Sequence, residues 1–219
     1  MIFQSICFCF VPLLLIFAAF YAFIPGMKLT TSLLSVLAGF IAIVPVGALN
    51  IYVFSHLNLQ ADSLCGVLLR DILLNGFVEE TFKMLLIWML IHKAGDLRTF
   101  FFYAVLAGLS VGCFELFIYF PSWSSDIETK FFIRMGTAVV LHALCAGLSG
   151  IFVWSFKQKK RRVLPYAFAV IFHGLYNYFA GFKMNVPFFY FSFAVLVFAL
   201  IECRIRYVRL NELLEKEAD

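Results

Sequence analysis

Glu79-Glu80-Thr81-Phe82-Lys83 sits inside a run, residues 73–90, that is otherwise apolar enough to cross a bilayer. On insertion scales each charge near the centre of a membrane helix costs about 2.5–3.5 kcal/mol. Three such groups facing lipid would offset much of the insertion energy of the helix. Intramembrane charges therefore face a protein interior or a wet cavity, and their default reading is functional. The rest of the chain is read by asking what meets these carboxylates.

The composition excludes a soluble globular domain. Of 219 residues 63% are hydrophobic and only 14% charged, against roughly half and a quarter in ordinary globular chains. The expected fold is all-α, a polytopic transmembrane helical bundle of about seven spans, which this length accommodates with short loops. The chain reads as a single integral-membrane domain over 1–219, with a motif-bearing core at about 67–181 and a short tail at 204–219. The formal charge of +4 comes from basic residues in short tracts between apolar runs. That pattern points to the bilayer as partner, not to nucleic acid. Cys7, Cys9, Cys65, Cys113, Cys145 and Cys203 form no CxxC pair and read as small hydrophobes, not as disulfides or a zinc knuckle.

Apolar runs predict spans at about 2–24, 33–54, 72–91, 99–120, 131–156, 164–181 and 187–203. Residues 55–71 mix polar and apolar side chains and suggest a short interfacial helix, and 121–130 is the most polar extended loop. His56 and His92, near loop ends, read as solvated. Gly108-x-x-x-Gly112 offers a flat face for close helix contact, and Ala146 and Gly150 continue the His142 face at four-residue steps. With seven spans, twelve Lys and Arg residues fall on one side and four on the other. The positive-inside rule then places the N-terminus outside and the C-terminus in the cytoplasm.

Depths follow from the helical rise of about 1.5 Å per residue. Glu79 and Glu80 lie roughly 12 Å from the outer end of the third span, Glu115 roughly 8 Å into the fourth, His142 roughly 16 Å into the fifth and His173 roughly 12 Å into the sixth. Four helices thus bring carboxylate or imidazole groups to the outer half of the bilayer. Alone, each has an ordinary explanation: His142 as a packing residue, Glu115 as solvated near the interface, His173 and Asn177 as braces sharing one helix face. Lys83 lies one turn beyond both glutamates and predicts one ion pair within the helix, leaving the second carboxylate unneutralised. Together, two imidazoles and carboxylates are the ligand types of a hydrolytic zinc site with an open water position. Such a metal makes hydroxide available near neutral pH, and a spare Glu can act as general base. A metal-free variant has one Glu activating water while His173 and Asn177 donate to the oxyanion.

The motifs resemble those of the PrsW family of intramembrane proteases, in the wider grouping with CAAX-type prenyl proteases and the Aph subunit of gamma-secretase. The resemblance runs from about Val67 to Ala180. It is carried by Glu79-Glu80-x-x-Lys83, by the glycine-rich run Gly108 to Phe114-Glu115, by Arg134 eight residues before His142 with Gly147, and by His173-x-x-x-Asn177. Leu116 stands where a polar residue is expected, and CAAX-type relatives carry His where this chain has Glu115. The resemblance implies a multi-pass endopeptidase of the bacterial cell membrane that cuts membrane-anchored protein substrates with a divalent metal, zinc by preference. Glu79, Glu80 and Asn177 are the expected catalytic residues. His142, His173 and Glu115 are the expected metal ligands or polar partners, with Lys83 and Arg134 supporting. The alternatives are a non-catalytic scaffold that uses the same cluster to hold helices together, and a proton-coupled transporter.

Overall fold

The structure is a computed structural model, and it describes residues 2–56, 63–120 and 127–216. The readings placed on the His56 side chain, on residues 57–62 and on the loop at 121–126 lie outside the described residues. Within them the chain is helical and contains no strand. That follows from the composition: without water in the bilayer core, each backbone N–H and C=O must be satisfied inside its own segment.

The helices are α1 (Ile2–Phe23), α2 (Leu29–His56), α3 (Leu64–Arg70), α4 (Glu79–Leu90), α5 (Leu97–Tyr119), α6 (Ile127–Arg134), α7 (Val140–Lys157), α8 (Leu164–Ala180) and α9 (Phe191–Glu215). A π-helical stretch, Asp71–Val78, joins α3 to α4, and a second, Met135–Val139, joins α6 to α7. The described residues therefore form seven rods, in the order the apolar runs predict. Five are long and apolar enough to cross a membrane: α1, α2, α5, α6 with α7, and the rod ending in α9. The rod from Leu64 to Leu90 carries Arg70, Asp71, Glu79, Glu80 and Lys83, and α8 has 17 residues, roughly 26 Å of helix. The protein is an integral, multi-pass helical membrane protein.

Two expectations change. Residues 63–70, the described part of the expected interfacial segment, are not a separate helix. Ser63 caps α3 by accepting a hydrogen bond from the Gly66 N–H, and α3 then runs without a break into the next span. Residues 204–215, read as part of a tail, continue α9. No Gly or Pro stops the helix there, Leu210 is fully buried, and the Tyr207 ring packs 4.9 Å from that of Phe101.

α5 and α7 form the centre, and α1, α2 and α9 present mostly exposed apolar side chains to their surroundings. The two small-residue faces legible in the sequence meet each other. A Cβ on Gly108 would stand 2.6 Å from the Ala146 Cβ, and one on Gly150 would stand 2.7 Å from the Ala104 Cβ. A Cβ on Gly112 would lie 3.2 Å from the His142 ring. Close backbone approach along this seam sets the distance between Glu115 on α5 and His142 on α7.

Candidate active site

Two of the helices that carry the charged and imidazole groups are interrupted by π turns immediately before them. Asp71–Val78 ends where Glu79 begins, and Met135–Val139 ends three residues before His142. Such turns free a backbone carbonyl and recur at functional sites. Here threonine hydroxyls bond carbonyls at both turns. Thr81 Oγ1 donates to the Phe77 carbonyl at 2.5 Å and meets the Tyr166 hydroxyl at 2.6 Å. Thr137 Oγ1 bonds the Ile133 carbonyl and the Tyr176 hydroxyl, both at 2.6 Å. Tyr166 and Tyr176 belong to α8, so both interrupted helices are clipped to the helix that carries His173. Gly76 and Gly174 bring the first π turn against α8: a Cβ on Gly174 would stand 2.6 Å from the Ile72 Cα.

On this frame Glu79, Glu80, His142 and His173 converge, with one ligand-type atom from each lying within 4.8 Å of the others. Lys83 joins them. Its ammonium pairs with Glu80 Oε1, lies 3.4 Å from Glu79 Oε1 and 3.1 Å from His142 Nδ1, and its side chain is only 1% exposed. The expectation of a single ion pair within the helix is thus corrected, because the ammonium reaches both carboxylates and an imidazole.

The imidazoles are held alike. His142 Nε2 is 2.6 Å from Glu115 Oε2, and His173 Nδ1 is 2.7 Å from Glu80 Oε1. A carboxylate can only accept, so each of these nitrogens carries a proton, and in a neutral ring the opposite nitrogen keeps its lone pair. The lone pair of His142 Nδ1 receives the Lys83 ammonium. His173 Nε2 looks across 3.9 Å at Glu79 Oε2, acceptor facing acceptor. Glu79 Oε1 and Glu80 Oε2 are buried without a hydrogen-bond partner. Acceptors outnumber donors in this chamber, which is the electrostatic condition for holding a cation. Two imidazoles and two carboxylates are a donor set that suits a hydrolytic metal, and the lysine ammonium shows that the cradle accepts positive charge.

Glu115, expected among the metal ligands, does not join the quartet. It stands behind His142, on the nitrogen that faces away from the centre, and its other oxygen takes the Arg134 guanidinium at 3.1 Å. Arg134 also lies 4.3 Å above the Tyr119 ring. His92 is exposed, and the six cysteines are free, with Cys9, Cys113, Cys145 and Cys203 buried.

A cavity of about 550 Å³ reaches Glu79, the member of the quartet that lines it. Glu79, Glu115, Arg134 and Asn177 line it, while Glu80 is fully buried behind Glu79. Asp71 and Asn75 extend its polar wall. Asp71 Oδ1 accepts from Arg70 and from Asn75, each at 3.2 Å. The sequence reading passed over this pair, although Asp71, Asn75 and Glu79 recur every four residues and so mark one helix face. Ala42, Val46 and Gly47 of α2 form the apolar wall opposite.

Residues 28–201 match the pattern of the family described as PrsW family intramembrane metalloprotease. No curated protein and no solved structure matches the chain. The match spans most of the sequence and includes every residue of the chamber, so the chain belongs to the PrsW family of intramembrane metalloproteases.

Proposed function

We propose that this PrsW-family protein hydrolyses peptide bonds of membrane-anchored protein substrates in the cavity bordered by Glu79. The observation that carries the reading is the division of labour in the glutamate pair. Glu79 borders the cavity, whereas Glu80 is sealed behind it on Lys83 and His173. A base must reach the water it deprotonates, and of the two only Glu79 lines the cavity.

His142 Nδ1, His173 Nε2 and the unpartnered Glu80 Oε2 are the groups that would hold a divalent metal, with zinc the choice that best suits two imidazoles and a carboxylate. When bound, such an ion polarises a carbonyl and lowers the pKa of water. The remaining work belongs to the chain. Glu115 on His142 and Glu80 on His173 fix the tautomer and orientation of each ring, the role that outer carboxylates play around histidine ligands. Glu79 takes a proton from the attacking water and returns it to the leaving amine as the C–N bond breaks. Asn177, in the same cavity wall, supplies an amide N–H to the carbonyl oxygen as it gains charge. Arg134 keeps Glu115 in place at the rim. On the positive-inside reading the cavity opens towards the extracytoplasmic side, with the N-terminus outside, in a bacterial cell membrane.

Purified protein in lipid nanodiscs, incubated with a single-span reporter, tests this. Cleavage that is lost with chelator, restored by zinc and lost in Glu79→Gln, His142→Ala and His173→Ala supports the reading. Undiminished cleavage in those three variants ends it. A folded protein that cleaves no reporter favours a scaffold, and proton flux in liposomes favours a transporter.

A further inference from the structure

The lysine in the middle of the quartet is not explained by hydrolysis. Its ammonium touches Glu79, Glu80 and His142, three of the four residues in the convergent group, and one of those contacts uses the His142 lone pair assigned above to a metal. An ammonium has three N–H donors and no acceptor; Glu80 and His142 take two of them, and Glu79 Oε1 stands at ion-pair distance without a hydrogen bond. Two like charges a few ångströms apart in a dry interior repel strongly. Lys83 in this position and a divalent ion on His142 Nδ1 therefore exclude each other.

We propose that Lys83 is a placeholder cation. It neutralises the chamber while the bundle assembles, and it must withdraw from His142 and Glu79 for a metal to bind. The inference rests on the metal reading given above and adds a regulated step to it.

The charges account for the need. Without Lys83 the metal-free chamber would bury two adjacent carboxylates with no cation beside them, and Glu80 is fully buried. Uncompensated buried charge is strongly destabilising. With Lys83 seated, the quartet can close before a metal arrives. The flexible four-carbon stem of a lysine gives the ammonium the rotamers that withdrawal requires. The competition has a consequence of definite sign: the ammonium lowers the chain's affinity for a metal. A lysine whose role was only to hold the ligands in position would raise it.

The test uses full-length protein in detergent, stripped with chelator, and zinc as the probe. Zinc affinity is measured by competition with a chromophoric chelator and thermal unfolding is followed in parallel, for wild type, Lys83→Met and Lys83→Arg. Lys83→Met is expected to unfold at a lower temperature than wild type without zinc, to bind one zinc at least 10-fold more tightly, and to recover more stability than wild type when zinc is added. Lys83→Arg keeps the charge and binds no more tightly than wild type. Equal or weaker zinc binding by Lys83→Met overturns the placeholder while leaving the metal reading intact. Zinc binding by neither protein overturns both. If Lys83→Met cannot be purified without zinc, growth and purification with zinc present is expected to recover it, and failure to recover it also counts against the proposal.

Discussion

Two ion-pair clusters meet at His142, and they differ mainly in their access to water. The inner one, Glu80 with Lys83 and His173, is sealed: the Glu80 and Lys83 side chains are 0% and 1% exposed. The outer one, Glu115 with Arg134 and the Tyr119 ring, sits at the cavity rim, its charged side chains 25% and 27% exposed. Both present a carboxylate to one nitrogen of a histidine and leave the other nitrogen for the centre. Similar local chemistry therefore serves two ends. Inside, each charge exists only because the others do, so fold and site are one object. At the rim, water can solvate what a mutation leaves behind, so the cluster orients His142 without holding up the bundle.

The sharpest way to break this contrast is to truncate one member on each side. Glu80→Ala leaves Lys83 short of its closest partner in a dry interior and is expected to lower stability by about 3–5 kcal/mol. Glu115→Ala at the half-wet rim should lower it by less than about 1 kcal/mol. Thermal or denaturant unfolding in the same micelle checks both, and equal losses would erase the distinction. Next in size is Glu79→Gln, which keeps shape and removes the proton acceptor. Reporter cleavage should fall by about 10²–10⁴-fold while the unfolding midpoint stays near wild type. A large loss of stability would instead move Glu79 into the structural cluster.

Glu115→Gln sharpens the same contrast from the other side. The amide can still meet His142 but no longer fixes its tautomer, so metal affinity or cleavage should fall about 10–100-fold with little change in unfolding. The smallest expected effect is that of Thr137→Val, which deletes the hydroxyl joining the π turn before His142 to Tyr176. A cost of about 1 kcal/mol is expected, with cleavage reduced only a few-fold, and the paired variant Tyr176→Phe should add little to it in a double-mutant cycle.

The convergence of four helices was legible because each charged group is expensive in a membrane and the helical rise fixes its depth. The close seam of α5 on α7 was legible from glycines and alanines at four-residue steps. Rotation about each helix was not. A π turn inserts a residue and turns everything beyond it by about 100°, and such turns precede both Glu79 and His142. The four-residue spacing of Asp71, Asn75 and Glu79 marks their shared wall, but how that wall is turned relative to the residues before Asp71 depends on the π turn, which spacing does not show. The position of Glu115 behind His142 depends on which ring nitrogen faces inward, which spacing does not encode. That α9 continues beyond the span at about 187–203 is not visible in the hydropathy, which falls there, but in the lack of a breaker or cap before Glu215.

The account depends on Glu80, His142 and His173 forming one cation site beside Glu79, built from three helices and excluding Glu115. X-ray absorption at the zinc edge of zinc-loaded full-length protein tests that most directly. The predicted spectrum contains two imidazole scatterers and oxygen at about 2.0–2.2 Å, reduced to one imidazole in His173→Ala and unchanged in first-sphere composition in Glu115→Gln. Sulfur at about 2.3 Å, or zinc held without imidazole, would contradict it.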